Sequence, residues 1–134
     1  MKKVALLFIL LISIIGCNKS EDGTVEVIPL APTDLKATVI SKDQLDLTWK
    51  DNSTNEKGYK IERKIGSGNF TEIGSTTQDI TTFSDKSVVL NTSFTYRVYS
   101  YNQVGKSLQY SNEITIQTVN IPTLTTVTIF VFSM

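Results

Sequence analysis

The stretch that decides the fold is LDLTWKDNSTNEKGYKIERKI, residues 45–65, in which two alternating runs flank a turn-rich loop. The apolar positions of the two runs are Leu45, Leu47, Trp49, Tyr59, Ile61 and Ile65. Successive side chains of a strand point to opposite faces of a sheet, so each run predicts a strand with one buried face. The Asp, Asn, Ser and Gly residues between the runs favour a turn.

The same alternation recurs towards the end of the chain. Phe94, Tyr96 and Val98 alternate with polar residues, and Ile114 and Ile116 do so again. No helical periodicity appears between Ala31 and Thr118. Several short alternating runs with regular turn signals predict an all-β sandwich of two packed sheets. The residues expected in its core are Trp49, Tyr59, Ile61, Phe94, Tyr96 and Val98.

Residues 31–118 resemble a fibronectin type III domain. The matching motifs are APTDLKATV, LDLTW, GYKIER, FTYRVYSYNQVGKS and YSNEITIQT. The resemblance implies a seven-stranded antiparallel Ig-like β-sandwich. The stretch WKDNSTNEKGYKIERK is most similar to versions in exported Bacteroidetes-type proteins.

One departure from the family pattern concerns the tyrosine corner. Phe94 stands where the family usually carries the tyrosine, so its corner hydrogen bond, typically worth about 1 kcal/mol, is expected to be absent. The domain is therefore expected to be somewhat less stable than its relatives. An alternative register would use Tyr96 as the corner residue.

The start of the chain has the layout of a signal peptide. Lys2 and Lys3 precede an apolar run that ends at Gly16 and is shorter than the ~20 residues of a membrane-spanning helix. Ile14-Ile15-Gly16-Cys17 resembles the lipobox of bacterial lipoproteins. The resemblance implies that residues 1–16 are removed and that Cys17, the single cysteine, carries a lipid anchor. The alternative is an ordinary signal peptide with an incidental cysteine.

Residues 17–30 are predicted to be a flexible tether because they are polar and contain glycine. Within them, Lys19-Ser20-Glu21-Asp22 resembles the short acidic export signal of some Bacteroidetes-type lipoproteins. The alternative is a solvated tether without a signal. We expect an exported protein that is lipid-anchored to the bacterial cell envelope, at the outer membrane, with surface exposure left open.

An apolar tail occupies residues 119–134. IPTLTTVTIF at 121–130 aligns with APTDLKATVI at 31–40 at an offset of one module, which indicates the start of a second, truncated module. The alternatives are an eighth strand that packs on the first module and a disordered apolar end that is prone to aggregation.

Composition argues against several function classes. Thirteen basic and thirteen acidic residues cancel, whereas a nucleic-acid surface needs clustered Lys and Arg. The chain contains no histidine, and acylation of Cys17 would remove its thiol from catalysis. We therefore expect a monomeric protein that is not an enzyme and needs no cofactor.

Candidate binding residues lie on one predicted strand and the loop after it. Tyr99 and Tyr101 fall on the outward face of the strand, and Asn102, Lys106 and Tyr110 follow. Exposed aromatic side chains stack on sugars or anchor a protein partner, while the alternative is cross-strand packing on a half-buried sheet.

The same outward face predicts an exposed ion pair between Glu62 and Arg97, on neighbouring strands of this fold.

A metal site is not predicted, although Asp51, Asn55 and Glu56 are weak candidates for calcium, which takes oxygen ligands. Their spacing matches no calcium loop, and Asx turns explain the same residues.

Together these observations predict a non-catalytic, lipid-anchored cell-envelope protein whose module binds a protein or a polysaccharide. The alternative is a structural spacer that holds a downstream enzyme or adhesin away from the membrane.

Overall fold

The computed structural model describes residues 26–119 of the chain. The signal peptide, Cys17 and the tail beyond Val119 lie outside these residues, so cleavage, lipidation and a second module stay predictions. Within the described part there is no helix long and apolar enough to cross a membrane.

The described residues form seven strands in two antiparallel sheets, which confirms the all-β sandwich that the resemblance implies. The strands are β1 (Thr33–Val39), β2 (Leu45–Lys50), β3 (Gly58–Ile65), β4 (Thr71–Thr77), β5 (Thr82–Asp85), β6 (Ser93–Tyr101) and β7 (Ile114–Gln117). One sheet has the order β1-β2-β5 and the other the order β4-β3-β6-β7. The fold is an Ig-like β-sandwich, and its two sheets pack their apolar faces against each other.

The core consists of the inward residues of both sheets. The six residues expected there are all buried, and Trp49, the most accessible of them, is 6% exposed. Its ring meets that of Tyr59 edge to face, with the ring centroids 5.4 Å apart. Alternation along β2 and β3 therefore builds a contact that crosses from one sheet to the other.

Ile65 corrects the sequence prediction, because its side chain is 53% exposed although its parity is that of buried Ile61. It is the last residue of β3, where the inner face of the sheet opens to solvent. The intervening inward position carries Arg63. Parity therefore holds along β3, but burial ends before the strand does.

A buried polar group, which we call the inter-sheet clamp, joins the sheets near this end. Asp85 of β5 accepts hydrogen bonds from Arg63 Nη1 at 2.6 Å and from the Tyr96 hydroxyl at 2.9 Å. Ser87 donates to the other carboxylate oxygen through its backbone and its hydroxyl. Phe94 is buried at the corner position and has no hydroxyl to donate. Two residues later, the buried Tyr96 donates its hydroxyl to the Asp85 side chain instead of to the backbone.

The first and last described residues lie at opposite ends of the sandwich. At the end that we call the N-terminal pole, the Val27 carbonyl accepts hydrogen bonds from Asn55 and Asn102. At the C-terminal pole, Thr118 bonds to Val89 and Thr92. The chain therefore enters the module at one end and leaves it at the other.

Candidate binding surface

The outer face of the four-stranded sheet carries the candidate binding residues. Along β6, Arg97, Tyr99 and Tyr101 alternate with buried residues and point outward, in agreement with the predicted parity. All three side chains are half-buried, because neighbouring side chains cover them. The outward side chains of this sheet therefore pack against one another on its outer face.

Five side chains form what we call the aromatic–cation cluster, namely Phe70, Arg97, Tyr99, Lys106 and Tyr110. Arg97 lies at its centre, with its guanidinium carbon 3.9 Å from the ring centroid of Phe70 and 3.8 Å from that of Tyr110. A planar guanidinium stacks well between two aromatic faces. The arginine thus links β6 to the segments before β4 and before β7.

Glu62 fixes the orientation of Arg97. The two residues are cross-strand neighbours, and Glu62 Oε2 lies 2.7 Å from Arg97 Nε and 2.6 Å from Nη2. The predicted ion pair is present, but it is half-buried rather than exposed, with side-chain exposures of 16% and 24%. The rings over Arg97 exclude water from the pair, an effect that strand parity does not reveal.

Lys106 lies over the two tyrosines of the cluster. Its Nζ is 5.4 Å from the ring centroid of Tyr99 and 5.2 Å from that of Tyr110, and it bonds to the Tyr110 hydroxyl at 3.2 Å. The Tyr99 and Tyr110 rings meet edge to face at 5.4 Å. The hydrogen bond to Tyr110 raises the pKa of Lys106 above its usual value.

Tyr101 and Asn102 lie apart from this cluster. Tyr101 contacts Lys60, whose Nζ is 5.7 Å from its ring centroid and 2.9 Å from Glu72 Oε2. Asn102 donates to the Val27 and Asn55 carbonyls and accepts from two backbone N–H groups of its own loop. Its side chain holds the N-terminal pole together.

Phe70 is the member of the cluster that sequence reasoning missed. It follows a glycine-rich turn and belongs to no alternating run, so its parity is undefined. The one available signal was an isolated aromatic residue next to a hairpin.

The weak metal candidates are only partly brought together. Carboxylate oxygens of Asp51 and Glu56 lie within 4.8 Å of each other and of an oxygen of Asp79, from the turn between β4 and β5. Asn55 instead bonds to Ser53 and Val27. The third oxygen donor near Asp51 and Glu56 is therefore the carboxylate of Asp79 and not the amide of Asn55.

Comparisons with solved structures agree with this architecture. The chain is similar to the FN1–FN3 domains of chicken CNTN1, with a TM-score of 0.62 and 19% identity over 69% of this chain and 33% of that one. It is also similar to a β-1,2-glucanase from Parabacteroides distasonis, with a TM-score of 0.61 and 16% identity over 73% of this chain and 14% of that one. For a fibronectin type III domain of human collagen XX, the TM-score is 0.57 at 16% identity, over 70% of this chain and 95% of that one.

The chain thus spans a third or less of the CNTN1 and glucanase chains, and nearly all of the single collagen domain. No curated protein matches its sequence. The family model of the fibronectin type III domain matches residues 30–117, the same region as the seven strands. This chain therefore belongs to the fibronectin type III domain family.

Proposed function

We propose that the protein is a non-catalytic binding module, held on the bacterial cell envelope by a lipid on Cys17, and that its aromatic–cation cluster contacts the ligand. The cluster is the observation that carries the proposal. Tyrosine and arginine are enriched among the residues that dominate binding energy at protein interfaces. Fibronectin type III domains are typically non-catalytic modules, commonly for binding or spacing.

The geometry favours a protein over a polysaccharide as the ligand. A sugar ring stacks best on a flat aromatic face, whereas Tyr99 and Tyr110 meet at 84° and Lys106 lies over both rings. An ammonium has three donors, and only one of those of Lys106 is used by Tyr110. The remaining donors suit a carboxylate on a protein partner.

Charge reversal at Lys106 tests the surface with little change to the fold, because this side chain is exposed. The wild-type chain and Lys106→Glu would be applied to arrays of purified envelope proteins, host proteins and polysaccharides. We expect at least one protein ligand whose affinity falls roughly tenfold or more on substitution, as for a contact inside an interface.

Lys36→Glu is the matched control, since it makes the same charge change at an exposed position of β1, on the other sheet. Equal loss with both variants would indicate only a net-charge effect and would contradict the proposed surface. A ligand that is a polysaccharide would contradict the choice of a protein partner.

The anchor is tested separately by metabolic labelling with a radioactive fatty acid. We expect the wild-type chain to be labelled and to partition into detergent, and Cys17→Ser to lose both properties, because acyl chains add about 0.8 kcal/mol of membrane affinity per buried CH₂. Retention of the label in Cys17→Ser would rule out lipidation at this position.

The alternative function is a spacer, and the opposite poles favour it. A module that the chain enters at one end and leaves at the other adds its full length to a stalk. The intact mass of the native protein from its own envelope distinguishes the two cases. A mass matching lipidated Cys17 to Met134 would argue for a small stand-alone binder, whereas a larger mass would indicate further modules after this one.

A further inference from the structure

We propose that Asp51, Glu56 and Asp79 form a calcium site at the N-terminal pole. The site shares no residue with the aromatic–cation cluster and does not depend on the function proposed for it. Each of the three residues offers a carboxylate oxygen, and these oxygens lie within 4.8 Å of one another.

Burial of Glu56 is the first observation that points to a ligand. This residue is 3% exposed, and its Oε2 has no hydrogen-bond partner among residues 26–119. The other oxygen, Oε1, accepts one long bond from the Asp79 backbone N–H at 3.4 Å. A buried carboxylate oxygen without a donor is costly, so it requires a partner that a cation would supply.

The Tyr59 hydroxyl is the second such observation. Tyr59 is fully buried, and its hydroxyl also has no hydrogen-bond partner within the described part of the chain. Burial raises the pKa of this hydroxyl, and its interaction with the Asp51 carboxylate, followed by the charges of Glu56 and Asp79, raises it further. A fourth oxygen therefore adjoins the three carboxylates.

Within the described part of the chain, these carboxylates form no ion pair. No Lys or Arg nitrogen of residues 26–119 lies within 4.0 Å of any of the three carboxylates, although five other ion pairs are present. Three like charges at this distance repel one another unless a cation lies between them.

The number and kind of protein ligands favour calcium over magnesium. Calcium takes several carboxylate oxygens at ~2.3–2.6 Å in flexible geometry. Magnesium requires ~2.0–2.1 Å and near-ideal octahedral geometry, and it usually keeps several waters and binds only one or two carboxylates rather than three. Asp79 is exposed, so water has access to complete the coordination.

The site would link two loops that meet only at this pole. Asp51 and Glu56 belong to the loop between β2 and β3, and Asp79 belongs to the turn between β4 and β5. The Asn55 side chain of the first loop also holds Val27, at the start of the module. Calcium would thereby stiffen the end at which the chain enters the sandwich.

Terbium luminescence and thermal unfolding test the site in the full chain, purified in detergent. Tyr59 adjoins the proposed site, and Trp49 lies 5.4 Å from Tyr59 between ring centroids, so a bound terbium ion would be sensitised by their absorption. We expect terbium emission that calcium displaces at ~10⁻⁴–10⁻³ M, as for calcium sites of extracellular modules. Calcium should also raise the unfolding temperature in a concentration-dependent way.

Asp79→Asn and Asp34→Asn are a matched pair of variants. Both positions are exposed and have a positive φ, 61° at Asp79 and 56° at Asp34, which asparagine also tolerates. We expect Asp79→Asn to weaken calcium binding roughly tenfold or more and Asp34→Asn to behave as wild type. Glu56→Gln should likewise remove the calcium-dependent part of the stability.

Three results would overturn the proposal. The first is an absence of terbium emission together with no change in unfolding temperature up to ~10 mM calcium. The second is an equal response in Asp79→Asn and wild type, and the third is an equal response to potassium chloride at the same ionic strength. Tighter binding of magnesium than of calcium would overturn the choice of ion.

Discussion

Gly58 opens β3 with a φ of 155° and faces the backbone of β4 directly. A Cβ placed on it would lie 2.0 Å from the Thr76 carbonyl oxygen, far inside van der Waals contact. Gly66, in the following hairpin, has a φ of 54° but open space where a Cβ would lie. Gly58 is therefore required because there is no space for a side chain, whereas Gly66 is favoured because of its left-handed backbone conformation.

We predict that Gly58→Ala lowers the free energy of unfolding by about 3–5 kcal/mol, because the strands must separate to admit the methyl group. Gly66→Ala should cost only about 1–2 kcal/mol, the price of a left-handed conformation for alanine. Urea denaturation of both variants checks the difference. Equal costs would mean that the close approach at Gly58 is relieved by a small backbone shift.

At the level of the element, β6 organises both faces of its sheet. Its inward residues fill the core, and its outward residues hold Glu62 and the two rings that cover Arg97. The pair Lys60–Glu72, on β3 and β4, has a comparable distance of 2.9 Å but greater side-chain exposure, 34% and 43%. Two rings cover the Arg97 guanidinium at 3.8 and 3.9 Å, whereas Lys60 has a single ring, that of Tyr101, at 5.7 Å.

A double-mutant cycle on Glu62→Ala and Arg97→Ala should give a coupling energy of about 1–2 kcal/mol, because two charge-assisted hydrogen bonds are shielded from water. The matching cycle on Lys60→Ala and Glu72→Ala should give about 0–1 kcal/mol, as for exposed pairs. Thermal or urea denaturation of the seven proteins, namely the wild type, four single variants and two double variants, supplies both values. Similar coupling in the two cycles would show that the rings do not strengthen the Glu62–Arg97 pair.

At the scale of the whole molecule, the inter-sheet clamp joins β5 of one sheet to β3 and β6 of the other. Burial by itself would raise the pKa of Asp85, but hydrogen bonds from Ser87, Arg63 and Tyr96 together lower it below 3.8. The folded state therefore binds this proton more weakly than the unfolded state does. The resulting stability is fully present above the ordinary Asp pKa and is lost as the pH falls through the folded-state value.

We predict that Asp85→Asn costs about 2–4 kcal/mol at neutral pH, because Arg63 keeps a half-buried charge without its partner. The difference from wild type should begin to shrink as the pH falls below about 4, where Asp85 of the unfolded chain takes up a proton, and should disappear only below the lower pKa of the folded state. Urea denaturation between neutral and acidic pH follows both changes. A constant difference over this range would mean that the carboxylate charge does not stabilise the clamp.

Asp34→Asn is the control for this experiment, since Asp34 is exposed and forms no ion pair within the described residues. A surface change of this kind should alter the stability by less than ~0.5 kcal/mol.

Alternation by itself predicted β2, β3, β6 and β7 and most of the core. Side chains alternate between the two faces of a strand with a period of two residues, so the inward positions of β2 and β6 can be identified from a few neighbouring residues. Outward parity likewise placed Arg97, Tyr99 and Tyr101 on one face. The exposure of Ile65 escaped this reasoning, because parity defines a side of the sheet and not how far the opposite sheet covers it.

The clamp, the stack on Arg97 and the carboxylate cluster were decided only by the tertiary structure. Asp79 lies 23 residues from Glu56, and Asp85 lies 22 residues from Arg63. Contacts over such separations depend on how the two sheets stack and where each loop ends, and no local pattern encodes either. Local periodicity therefore specified the β-sandwich, whereas the packing of sheets and loops specified its polar sites.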